Sequence, residues 1–131
     1  MTIQIPALKW PVGNDYPITQ QFGENPDAYA AFGLPGHNGV DFGCPAGTPV
    51  KAAHDGLIEW GIDPRGYGNY LKVISPEGYI TLYAHLAIAD RNILAGELVK
   101  AGYRLGLSGG IVEELGSGNT TGPHLHFELR V

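Results

Sequence analysis

The chain has 131 residues, about one domain's worth, with 44% apolar and 16% charged side chains and a net charge of −5. The apolar content excludes intrinsic disorder, and the eight basic residues stand singly, which excludes a nucleic-acid footprint or a polybasic membrane patch. A single cysteine, Cys44, excludes an internal disulfide and any multi-cysteine zinc cluster.

Residues 1–11 lack the basic and apolar regions of a secretory signal, and no apolar run approaches the ~18 residues of a membrane span. Twenty glycines and ten prolines punctuate the chain too often for a helical bundle. Stretches rich in Val, Ile, Leu, Tyr and Phe predict strands over 18–22, 49–53, 57–60, 70–75, 79–86, 104–107 and 124–131. A short helix is expected over 25–32, with Pro26 at its first position. Ser75-Pro76-Glu77-Gly78 reads as a hairpin turn, and Asp55-Gly56 and Asp63-Pro64 as further turns. The expected class is all-β: an open antiparallel sheet or sandwich in one domain over 1–131.

The chain has five histidines: His37, His54, His85, His124 and His126. In a strand, alternation puts His124 and His126 on one face, about 7 Å apart along the backbone. Two such rings can share a metal, or one can bind it while the other moves protons. His37 and Asp41 lie four apart, but Gly36, Gly39 and Gly43 argue against a helix there. In a straight strand their Cα atoms would be about 13 Å apart, too far for one ion, so shared ligation needs a bend, which Gly39 permits. Two imidazoles and a carboxylate form a common zinc set with a fourth position left for water. No His-Glu-x-x-His helix supplies a glutamate base, so a histidine outside the ligand set must do that work.

These motifs resemble the lysostaphin- and LytM-type zinc metallopeptidases, peptidase family M23, which cut peptide cross-links of bacterial peptidoglycan. The matching residues are Gly36-His37-Asn38-Gly39-Val40-Asp41-Phe42, Gly47-Thr48-Pro49-Val50-Lys51-Ala52, Asp55-Gly56, Tyr83-Ala84-His85-Leu86, Val99-Lys100-Ala101-Gly102 and Thr121-Gly122-Pro123-His124-Leu125-His126-Phe127-Glu128. They cover about residues 33–131, leaving 1–32 as an N-terminal extension packed on the catalytic domain. The resemblance implies zinc ligands His37, Asp41 and His126, one Zn2+ per chain, and catalytic histidines His85 and His124. It implies a LytM-like fold with a duplicated hybrid motif and long groove-forming loops. It also implies a zinc metalloendopeptidase acting on peptidoglycan peptides outside the cytoplasm, without nucleic acid or membrane insertion, and as a monomer. The missing signal fits a phage-type or stand-alone enzyme, or a domain of a longer chain. The alternative on the same fold is a non-catalytic wall-binding or regulatory module, which would have lost ligands; here all five positions are present.

Several residues fall outside that pattern. The stretch 109–122, with Glu113-Glu114, is longer than usual and is expected on the groove rim. An aromatic residue shortly before the first ligand has only Tyr29 and Phe32 as candidates. His54 is expected to be structural and Cys44 a small buried thiol. Glu128 shares the face of His126, either as its partner or as an exposed carboxylate. Asn69 and Tyr70 are candidate groove residues, and Trp10 and Trp60 candidate core residues.

Overall fold

A computed structural model of the chain describes residues 7–31, 33–89, 96–110 and 122–131. Among the described residues ten strands and one helix follow in order: β1 (Ile18–Gln20), α1 (Pro26–Ala30), β2 (Val40–Phe42), β3 (Pro49–Lys51), β4 (Gly56–Asp63), β5 (Gly68–Ile74), β6 (Ile80–Ala84), β7 (Leu86–Ala89), β8 (Leu98–Val99), β9 (Arg104–Ser108) and β10 (Leu125–Arg130). Seven form one sheet in the order β1-β2-β10-β6-β5-β4-β8, and three form a second in the order β3-β9-β7. Every pairing is antiparallel. The all-β expectation holds.

The core lies where the sheets face each other: Phe42, Ile58, Leu71, Val73, Tyr83 and Leu125 from the large sheet meet Val50, Leu86 and Leu105 from the small one. Cys44 is buried in this cluster, as a small thiol. Trp60 packs on the core, whereas Trp10 is 54% exposed with its ring edge-on to Phe42, so only one tryptophan is a core residue.

The helix is shorter than expected and starts, as expected, with Pro26 in its first turn. The hairpin between β5 and β6 closes through Ser75 N–H to Tyr79 O at 2.9 Å, with Gly78 at φ +102°. The strand expected over 79–86 is two strands, because the chain leaves the large sheet for the small one at His85. Two strands had no sequence signal: β2, three residues among glycines, and β8, two residues. Both extend the sheet by pairing with longer strands.

Register positions the site. Asp41 of β2 pairs with His126 of β10, which pairs with Ala84 of β6. The next row, Val40, Phe127 and Tyr83, points to the other face and packs with the core. The site therefore grows on the face of the large sheet turned away from the small sheet.

Candidate metal centre and groove

His37 precedes β2 and reaches Asp41 through a bend rather than along a strand. Gly39 makes this possible by close approach: a Cβ there would lie 2.4 Å from the Phe127 carbonyl oxygen. The result brings His37 Nε2 to 3.2 Å from Asp41 Oδ1. His126 Nδ1 lies 2.9 Å from the same oxygen and 3.1 Å from His37 Nε2. All three residues are buried.

This triangle fits one metal ion. Ligand atoms bonded at about 2.0–2.1 Å around a tetrahedral zinc lie about 3.3 Å apart. The outer nitrogens are oriented to suit. His37 Nδ1–H donates to Gln21 O at 3.1 Å, which leaves Nε2 its lone pair. His126 Nε2 faces Glu128 Oε2 at 2.8 Å, which leaves Nδ1 for the centre. His37, Asp41 and His126 form the one such cluster among the described residues.

The electrostatics follow the partners. Burial disfavours the charged His126 ring, but hydrogen bonds to Asp41 and Glu128 outweigh it and hold its pKa above the usual value. Burial holds His37 below the usual value despite Asp41 beside it. Asp41 stays low, because the hydrogen bond from His126 and the surrounding histidines overcome its own desolvation.

His124 and His85 stand beside this centre. His124 Nδ1–H donates to Gly122 O at 2.8 Å, and Nε2 lies 3.8 Å from Asp41 Oδ1. The His85 ring is 4.7 Å from that of His124 and 6.0 Å from that of His126. His85 has φ +59°, a left-handed conformation that strains a residue with a Cβ. Two hydrogen bonds of 2.8 Å fix it, from His85 N–H to Tyr67 O and from Gly109 N–H to His85 O.

His37, Asp41, His85, His124 and His126 all line one open groove of about 590 Å³. Tyr29, Leu34 and Asn25 line it from the N-terminal side, and Asp63, Gly66 and Tyr67 from the β4–β5 turn. Tyr29 lies 5.4 Å from the His37 ring, so of the two aromatic candidates it is the one placed beside the first ligand position; Phe32 lies outside the described residues. Residues 111–121 of the long stretch, with Glu113-Glu114, also lie outside them. Asn69 and Tyr70 do not line the groove: Asn69 Nδ2–H donates to Leu86 O, and the Tyr70 ring covers Gly61. His54 is buried away from the site, bonded to Asp55 O and Thr81 Oγ1. Sequence reasoning missed Tyr67 and the Asn38 side chain, whose position depends on contacts between distant segments.

The sequence profile of Peptidase family M23 matches residues 35–131. The chain belongs to this family. The DD-carboxypeptidase/endopeptidase Mpg of Neisseria meningitidis is 39% identical over 98 residues, 72% of this chain and 20% of that protein. The peptidoglycan DD-endopeptidase ShyA of Vibrio cholerae is 35% identical over 130 residues, 99% of this chain and 28% of that one. A zinc-containing peptidase from Vibrio cholerae superposes with a TM-score of 0.77 at 37% identity, covering 96% of this chain and 37% of the other. Lysostaphin from Staphylococcus simulans gives 0.71 at 36% identity, over 88% and 42%. This M23 chain thus spans about a fifth to three tenths of the length of the curated relatives it matches.

Proposed function

We propose that the chain is a zinc-dependent endopeptidase that hydrolyses peptide cross-links of bacterial peptidoglycan, DD-linked bonds first. The observation that carries the reading is the triangle of His37 Nε2, Asp41 Oδ1 and His126 Nδ1, open to a groove with two further histidines. The DD-endopeptidase relatives Mpg and ShyA suggest the class of bond. Residues 1–131 act as one catalytic domain, and 1–32 are an extension that adds a groove wall through Tyr29.

His37, Asp41 and His126 would hold the zinc. Bound zinc supplies Lewis acidity toward a carbonyl and brings the pKa of a coordinated water to about 7. His124 orients Nε2 toward the centre because Nδ1–H is committed to Gly122 O. The His85 ring packs 4.7 Å from that of His124, so the pair can divide proton transfer from support of a developing oxyanion. The left-handed His85 backbone is held from both sides, which fixes where that ring stands. The site of action is the bacterial cell wall. Among the described residues no helix is long and apolar enough to cross a membrane.

The test is mass spectrometry of fragments released from a diaminopimelate-linked wall and a glycine-bridged wall, with and without a zinc chelator. Chelator-sensitive fragments with new amino termini are expected from the diaminopimelate-linked wall. No fragments from either wall, with protein shown to carry zinc, would overturn the reading.

A further inference from the structure

Behind the metal centre lies a second layer of polar groups. Glu128 is 2% exposed yet carries a full set of partners. Its Oε1 accepts from Arg130 Nε at 2.8 Å and Nη2 at 2.7 Å. Its Oε2 faces His126 Nε2 at 2.8 Å and accepts from Asn38 Nδ2 at 3.0 Å. The second Asn38 amide hydrogen goes to Tyr67 Oη at 2.9 Å, and Arg130 Nη2 donates to the same oxygen at 2.8 Å. With two donors already on it, the Tyr67 hydroxyl turns its own proton toward Glu128, a bond that helps hold Glu128 low and pushes Tyr67 up to about 12.

The wiring fixes one nitrogen of His126. A carboxylate anchored by Arg130 can only accept, so Nε2 carries a proton, and a metal ion that displaced the Nδ1 proton facing Asp41 would meet the lone pair of Nδ1. We propose that Glu128 and Tyr67 are positioning residues that fix the tautomer and orientation of His126 for metal binding. Tyr67 serves the two sides of the site at once. Its hydroxyl belongs to the network behind His126, and its carbonyl accepts the His85 N–H. Neither residue is a ligand in this proposal, and both act through His126. The inference rests on the zinc reading of the site, which the zinc content of the wild-type protein tests separately.

Glu128→Gln separates this role from mere space filling. The carboxylate has one oxygen for Arg130 and another for His126 and Asn38. An amide has one acceptor oxygen, so either Arg130 or His126 meets a donor. Zinc affinity is measured by competition with a chromophoric chelator, and the His126 tautomer by nitrogen-15 NMR of the zinc-loaded protein. Unfolding of the zinc-free form in chelator controls for folding. The expected result is zinc affinity about 10–100-fold weaker and an altered His126 ring signature, in a zinc-free form that still unfolds cooperatively. Tyr67→Phe keeps the ring and the carbonyl to His85, and is expected to weaken zinc binding less, in the same direction. Wild-type zinc affinity and an unchanged His126 signature in Glu128→Gln overturn the proposal. If that variant does not fold, Tyr67→Phe decides: weaker zinc binding supports the proposal and unchanged binding overturns it. Absence of zinc from the wild-type protein would instead overturn the reading of the metal centre.

Discussion

His126 and His54 are buried alike, 4% and 5% exposed, and differ in everything else. His126 stands between two carboxylates, Asp41 and Glu128, at the floor of a groove. His54 stands in a chain of neutral groups. Its Nδ1–H must donate to the Asp55 carbonyl at 2.7 Å, so Nε2 accepts from the Thr81 hydroxyl at 2.8 Å. Thr81 then accepts from Tyr83 Oη at 2.8 Å, which accepts from the Ala53 N–H at 2.8 Å. Depth alone therefore says little about a histidine. Anionic partners hold the His126 pKa up despite its burial, while burial holds His54 down. The first environment suits a cation, and the second joins a strand end to the sheet.

Breaking the pair apart should give the largest effects at the groove. His126→Ala is expected to lose stoichiometric zinc and all measurable cleavage, read by metal analysis and fragment release. His54→Ala should keep both, which would sharpen the contrast; cleavage lost in zinc-loaded His54→Ala would break it. His124→Ala is expected to keep zinc while losing at least about a hundredfold in cleavage rate, because a proton-transfer partner is gone and no ligand is. Retained cleavage would remove His124 from the chemistry.

The effects in the core are smaller and appear in stability. His54→Ala leaves a cavity and strands the Thr81 hydroxyl, for a loss of about 2–4 kcal/mol by urea unfolding in chelator. Thr81→Val should cost about 1–2 kcal/mol and leave zinc binding unchanged.

pH gives the subtlest test. The folded pKa of His54 is depressed by burial, against the pull of the nearby Asp55 and Glu77. Below about pH 6.5 the unfolded chain takes up a proton that folded His54 refuses, so its contribution falls as pH falls. The stability gap between wild type and His54→Ala should narrow from pH 7 to pH 5. In zinc-free protein His126 runs the other way: its pKa is raised, so its contribution is full below about pH 6.5 and is lost as pH rises through the folded value. Unfolding midpoints of each variant across this range check both signs.

Much of the site was legible in short stretches. Alternation put His126 and Glu128 on one strand face, and the structure shows them bonded. The four-residue spacing of His37 and Asp41 demanded a bend, and the bend is present. The resemblance of the motifs pointed to family M23, which the profile match bears out. Strand ends were less legible. The split at His85 depends on which sheet each half joins, and the left-handed turn there is held by Tyr67 and Gly109, distant in sequence. β2 and β8 are too short to show a period, and exist as partners of β10 and β4. The groove role expected of Asn69 and Tyr70 failed because the β4–β5 turn presents Tyr67 and Asp63 to the groove instead.

By itself the sequence determined the chemistry on offer: histidines and a carboxylate in spacings that favour a metal, strands rather than helices, and turns where glycine and proline demand them. These are local matters, set by the two-residue period of strands and by the conformations each residue allows. Only the tertiary structure decided which atoms meet. His37 and His126 are 89 positions apart and come within 3.1 Å because β2 and β10 are paired in one register. A shift of one residue would turn His126 to the core and Phe127 to the groove. Tyr67 and Asn38 reach Glu128 from two segments distant in sequence, and no spacing along the chain encodes such a convergence.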